Sequence, residues 1–250
     1  MNLEDIAQLS GFSRSTVSRV INNDPNVRDS TRQRVLDVIQ STNYSPNLAA
    51  RGLAAGRTQI LGLVIPQEVL SLFSDPYYPI LIKGVSAACN ALDYSVMLWL
   101  ADPEFERHTM SRMLDNSLLD GMLVAAAIED DPIIAALRER TLPFVTVGRL
   151  PHHDDISYID VDNRQGALDA VTHLLRMGHR RIACIRSPLN TGVGLDRLAG
   201  YFEALERRNV AVEAELIVEG DFTEMSGYVA VQRLLPHRPD AIFACSDNMA

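Results

Sequence analysis

The stretch Leu3-Glu4-Asp5-Ile6-Ala7-Gln8-Leu9-Ser10, Gly11-Phe12, Ser13-Arg14-Ser15-Thr16-Val17-Ser18-Arg19-Val20-Ile21 reads as two short helices joined by a turn. On the second, Val17, Val20 and Ile21 fall at i, i+3, i+4 and predict an inward stripe. Arg14, Ser15, Ser18 and Arg19 fall on the opposite side. Two guanidinium groups and two hydroxyls on one exposed helix face suit the major groove, where Arg bonds guanine in two places and Ser bonds a base or a phosphate. This is a helix-turn-helix layout with the second helix as reader.

Working outward, Asn2 is placed to cap the first helix with Asp5 completing a capping box, and Ser13 to cap the second. A turn-rich loop, Asn22 to Asn26, leads to a third helix expected over Thr31 to Ser41, with Ser30 as cap and Val35, Val38 and Ile39 turned inward. Residues 1–45 thus predict a small all-α head. Residues 46–57, from Pro46 to Arg57, carry Gly52 and Gly56 and read either as a plain linker or as a hinge helix that folds on DNA with Leu53 wedged between base pairs. The net charge of −9 is unevenly spread: residues 1–57 hold seven Arg and no Lys against Glu4, Asp5, Asp24, Asp29 and Asp37, a balance of +2, leaving −11 for the rest. So weak a basic head predicts that tight binding needs two of them.

From Ile60 the pattern changes to apolar runs alternating with amphipathic stretches. Strands are expected at Ile60–Pro66, Ser95–Leu100, Gly121–Ala126 and Phe144–Val147. Helices are expected at Tyr78–Leu92, Phe105–Asn116 and Pro132–Arg140, the last capped by Asp131. After a loop, Pro151–Ser157, a second series follows: helices Asn163–Met177, Gly194–Arg208 and Gly227–Leu235, and strands Ile182–Arg186, Leu216–Glu219 and Ala241–Ala244. Alternating β and α elements imply parallel sheets flanked by helices. Two α/β lobes are expected, 58–150 and 151–250, the second incomplete. Cys89, Cys184 and Cys245 are far apart among small or apolar residues and read as buried reduced thiols. No apolar run reaches the roughly 18 residues of a membrane span, and no export segment precedes the head, so a cytoplasmic protein is expected.

These motifs resemble those of the LacI/GalR family of bacterial transcriptional regulators. The likeness rests on Asp5-Ile6-Ala7, Gly11-Phe12-Ser13, Thr16 to Asn22, Thr31 to Val35, Asn43 to Asn47 and Ala50 to Leu53. In the core it rests on Asp162 to Gly166, Met177 to Ile182, Arg197 to Tyr201, Gly220-Asp221-Phe222 with Gly227-Tyr228, and Ser246 to Ala250. The resemblance implies a periplasmic-binding-protein-like core, a homodimer on palindromic operator DNA, and a small-molecule effector, most of all a sugar, held between the lobes. A nucleoside or another small metabolite is the alternative. It implies base reading by Arg14, Ser15 and Arg19, backbone contacts by Ser13, Thr16 and Asn22, and minor-groove hinge contacts by Ala50 and Leu53. For the effector it implies Asp75, Tyr77, Tyr78, Arg197, Phe222 and Asp247. Ser246 departs from the Asn common at that place, and the family pattern runs on past Ala250, so the chain is expected to be truncated.

His152-His153 with Asp154-Asp155 is the most metal-like cluster but lies in a loop, and neither metal nor cofactor is expected. Gly192-Val193-Gly194 lacks the third glycine and the acidic partner of a dinucleotide site. No nucleophile elbow, phosphate loop or acid/base pair supports an enzyme. A solute-binding protein without a DNA role is opposed by the reader helix. Taken alone, Asp247 reads more readily as a helix cap, Arg197 as a surface pair and Phe222 as core.

Overall fold

A computed structural model describes residues 1–44, 57–65, 72, 75–100, 114, 118–126 and 128–250. Ala50, Leu53 and nearly all of the helix expected at Phe105–Asn116 lie outside the described residues. The chain divides into two units, Met1–Thr58 and Gln59–Ala250.

The first unit is built from α1 (Leu3–Ser10), α2 (Arg14–Ile21) and α3 (Asp29–Ser41). The Asn2 carboxamide accepts the Asp5 N–H at 3.0 Å and the Asp5 carboxylate accepts the Asn2 N–H at 2.8 Å, the reciprocal capping box. Gly11, at φ 77°, closes α1 in the left-handed conformation and turns the chain into α2. Ile6, Ala7, Val17, Val20 and Val35 form the core, flanked by Leu3, Phe12, Ile21, Val38, Ile39 and Tyr44. α3 starts two residues before the expected Thr31. Arg28 holds an extended backbone without a side-chain cap, Asp29 sits in the first turn, and Ser30 lies inside the helix. A carboxylate there meets the positive helix end, so charge rather than a hydroxyl cap sets where α3 begins.

The second unit carries two parallel sheets among its described residues. The first has the order β2-β1-β3-β4-β5. Its strands are β1 (Ile60–Ile65), β2 (Ser95–Leu100), β3 (Gly121–Ala125), β4 (Phe144–Val147) and β5 (Tyr158–Ile159), with helices α4 (Tyr77–Ala91) and α5 (Pro132–Glu139). Register pairs Leu63 with Leu98 and with Leu123. β5 was not foreseen: two residues carry no period, and it exists only because Thr146 and Val147 pair with it. The first sheet therefore extends to Ile159, past residue 150.

The second sheet has the order β7-β6-β8, from β6 (Ile182–Arg186), β7 (Ile217–Glu219) and β8 (Ala241–Ala244), with helices α6 (Asn163–Arg176), α7 (Gly192–Glu206) and α8 (Glu224–Leu234). α7 and α8 start two and three residues earlier than expected, on the caps Thr191 and Thr223. The core beneath joins Leu168, Val171, Leu175, Ile185, Tyr201, Leu205 and Leu234. Tyr201 is buried but satisfied, its hydroxyl donating to the Ile182 carbonyl at 2.8 Å. All three cysteines are free and buried. Among the described residues no helix is long and apolar enough to cross a membrane.

Candidate nucleic-acid interface and ligand cleft

In the head, burial of Val17 and Val20 fixes which side of α2 faces water. Arg14, Ser15 and Arg19 are exposed on the other side, Ser13 and Asn22 stand exposed at its two ends, and Thr16 is half-buried in its first turn. The Ser13 hydroxyl accepts the Thr16 N–H at 3.3 Å and lies 2.8 Å from Ser15 Oγ and 2.9 Å from Thr16 Oγ1. The entry to α2 is therefore a cluster of hydroxyls at the positive end of a helix, a setting for phosphate oxygens. Arg14 lies 3.7 Å from Glu4, and Arg19 lies 3.9 Å from Asp24. The Asn26 backbone N–H, its side chain, and Arg19 and Arg32 outweigh burial and hold the Asp24 carboxyl below the usual carboxylate range. Asp24 thus stays ionised and steadies Arg19 at the end of the exposed face of α2.

In the second unit the candidate ligand residues collect past the C-terminal ends of parallel strands, where open α/β sheets bind ligands. Asp75 and Tyr77 open α4 after β1, Arg197 lies on α7 after β6, Phe222 follows β7 and Asp247 follows β8. Asp75 accepts the Tyr77 N–H at 2.9 Å. The neighbouring tyrosines part ways: Tyr77 is 51% exposed and Tyr78 only 8%. Tyr78 belongs to the core of Leu63, Ile65, Leu72 and Ala125 and meets the Tyr77 ring edge-on at 5.3 Å. Burial, then Asp75 and Tyr77, push its hydroxyl up to about 12. Burial and the nearby Asp160 raise Tyr77 while Arg197 pulls the other way, which places the Tyr77 hydroxyl in the field of both charges.

Arg197 is held in place. Its Nε donates to Asn163 Oδ1 at 2.9 Å, and its Nη1 donates to the Cys245 carbonyl just past β8. Asn163, itself buried, donates from Nδ2 to Asp160 at 2.8 Å, and Asp160 accepts the Arg149 N–H at 3.1 Å. With two sides of the guanidinium committed, Nη2 is left to meet acceptors on a ligand. Phe222 is half-buried at φ 71°, a costly conformation for an aromatic residue. The loop around it is pinned, with Asp221 accepting the Thr223 N–H at 3.0 Å and hydroxyl at 2.6 Å. Asp247 is exposed in the turn after β8.

The structure thus links Arg197 to Asn163, Asp160 and Arg149, which sequence reasoning missed, and places Tyr77 within reach of the charges of Asp160 and Arg197. Asp160-Val161-Asp162-Asn163 precedes a helix and reads as capping; Asp162 does cap α6, accepting the Gln165 N–H at 2.9 Å. Nothing in that spacing tells that Asn163 meets a side chain 34 residues later. Two surface cavities, of 180 and 290 Å³, lie beside α5 and include none of the candidate ligand residues. Among the described residues no group of three or more His, Cys, Asp or Glu could hold a metal ion. In the loop singled out earlier, Asp155 is engaged by Arg138 and His152 lies 3.7 Å from Glu129.

Residues 2–47 match the model of bacterial regulatory proteins of the lacI family. Residues 58–250 match that of periplasmic binding proteins and the sugar-binding domain of the LacI family. The chain is 37% identical over 252 residues to the HTH-type transcriptional regulator CelR of Thermobifida fusca, covering 99% of this chain and 74% of that one. It resembles a solved CelR–cellobiose complex with a TM-score of 0.74 at 35% identity, over 100% of this chain and 75% of that one. It resembles the lac repressor dimer bound to operator and the anti-inducer ONPF with a TM-score of 0.82 at 26% identity, over the same shares of the two chains. These proteins are regulators of transcription, not enzymes.

Proposed function

The chain belongs to the LacI family of bacterial regulatory proteins and is a DNA-binding regulator of transcription, and on that premise we propose that it is a repressor whose operator affinity is set by a sugar. The sugar binds Asp75, Tyr77, Arg197, Phe222 and Asp247, with Tyr78 backing the Tyr77 ring. The observation that carries this reading is Arg197 immobilised past the strand ends, its guanidinium held by Asn163 and the Cys245 carbonyl with one nitrogen uncommitted. A guanidinium with fixed free donors suits a pair of ring hydroxyls, the carboxylates of Asp75 and Asp247 accept others, and aromatic faces cover the C–H side of a pyranose. Likeness to a CelR–cellobiose complex favours a glucoside among sugars.

On the DNA side, Arg14, Ser15 and Arg19 read bases, Ser13, Thr16 and Asn22 bind phosphates, and Ala50 and Leu53 of the hinge at 46–57 enter the minor groove. The repressor acts in the cytoplasm as a homodimer on a palindromic operator, since one head of charge +2 gives little electrostatic affinity. The partner subunit covers the outer face of α4, where Ile80, Gly84, Ala87, Ala88 and Ala91 recur at helical spacing and are exposed.

The test is fluorescence anisotropy of the protein on palindromic DNA from upstream of its own gene, at fixed salt, with cellobiose, maltose, other sugars and nucleosides added in turn. Specific binding shifted by a sugar is the expected result. A shift by a nucleoside alone overturns the sugar, and absence of specific binding to any such DNA overturns the operator assignment.

A further inference from the structure

Arg149 lies two residues past β4 of the first sheet, and Asp196 lies on α7 against the second. Their side chains meet, Arg149 Nη2 donating to Asp196 Oδ1 at 2.8 Å. The pair is partly exposed, at 32% and 30%. Neither partner dangles. The Arg149 N–H is fixed by Asp160, next to β5, so a pull on its side chain is felt by the first sheet. Asp196 is followed directly by Arg197, which grips Asn163 and the Cys245 carbonyl. Consecutive residues of one helix thus hold the other lobe and the ligand seat.

The start of α7 is built for this closeness. A Cβ on Gly192 would stand 2.1 Å from the Arg149 carbonyl oxygen, so only glycine lets the helix end approach. The Glu129 N–H, ahead of α5, donates across to the Asn190 carbonyl at 2.8 Å.

We propose that the Arg149–Asp196 ion pair is a reversible tie between the two lobes, through which occupancy of the Arg197 seat is felt by the first sheet. The proposal rests on the reading of Arg197 as a ligand contact. A partly exposed ion pair shifts an equilibrium by about two- to five-fold, enough to bias lobe geometry and too little to lock it. A ligand that prefers the tied geometry binds more weakly by up to the same factor when the tie is cut.

The experiment uses the full chain with spin labels on Glu139→Cys, at the end of α5, and Gln232→Cys, on α8, diluted with unlabelled protein. Both sites are exposed, whereas Cys89, Cys184 and Cys245 are buried. Without ligand, Arg149→Gln and Asp196→Asn each move the inter-lobe distance distribution toward longer values. The double variant moves it no further than either single one. Arg149→Lys, which keeps the charge, stays near the parent and controls for misfolding. About 1 M salt lengthens the parent distance but not that of the double variant. In operator titrations the cellobiose midpoint rises in the single variants, by up to about five-fold. Unchanged distances in either single variant, or additive shifts in the double, overturn the tie. A parent protein that answers to no sugar overturns the effector reading instead, while the ligand-free distances still judge the tie.

Discussion

Arg19 is the residue whose proposed role is sharpest. It stands exposed over the buried Val17 and Val20, 3.9 Å from a carboxylate kept ionised by Asn26. Arg19→Ala is expected to cost about 1–3 kcal/mol on the operator while largely sparing a scrambled duplex, read as two Kd values at one salt concentration. Equal losses on both duplexes contradict base reading. The tyrosine pair gives a second contrast. Tyr77→Ala is expected to weaken the sugar response while leaving the melting temperature nearly unchanged, because half of its surface already faces water. Tyr78→Ala is expected to cost about 3–5 kcal/mol of stability, because its ring fills the core under Leu63 and Ile65. Thermal melts beside sugar titrations separate the two.

At the scale of elements, α6 and α7 cross where Gly200 allows it: a Cβ there would lie 2.3 Å from the Arg164 carbonyl and 2.9 Å from Ala167 Cβ. Gly166, on α6 nearby, faces open space. The same substitution therefore has opposite signs at the two places. Gly200→Ala is expected to destabilise by about 1–3 kcal/mol through overpacking. Gly166→Ala is expected to stabilise by about 0.5–1 kcal/mol through the unfolded chain's lost freedom. Urea unfolding followed by circular dichroism checks both, and a loss at Gly166 contradicts the open space assigned to it. Gly192 and Gly194 at the start of α7 mislead a reading by propensity, which begins the helix late. Their missing Cβ atoms serve the approach to Arg149 and Pro188, while Thr191 supplies the cap at 3.0 Å from the Gly194 N–H.

For the whole molecule, the exposed stripe on α4 predicts that Ile80→Glu dissociates the proposed homodimer, seen as a halved mass in sedimentation, with operator affinity falling as the second head is lost. Acid should weaken the second lobe. Arg181 beside Glu213, and Thr223 beside Asp221, hold those carboxyls below their usual range. Their contribution is complete above the unfolded carboxylate pKa of about 4 and is lost as pH falls through the depressed folded values. Melting temperature is therefore expected to hold from about pH 5 to 7 and to fall below about pH 4, more shallowly in Arg181→Gln. An identical acid slope in that variant contradicts the role given to the pair.

The head, its caps at Asn2 and Ser13, the inward stripe of α2, and the alternation that makes two parallel sheets are legible in the amino-acid sequence alone. Each of these is local: a cap acts over three residues and a helix face repeats every three or four, so neighbouring residues carry the information. Only the tertiary structure decided that β5 is a strand, that Tyr77 is exposed and Tyr78 buried, and that Asn163 and Asp160 stand behind Arg197. It alone decided that Arg149 meets Asp196. Those facts depend on which distant surfaces are pressed together, and packing between separate elements leaves no period along the chain from which to read them.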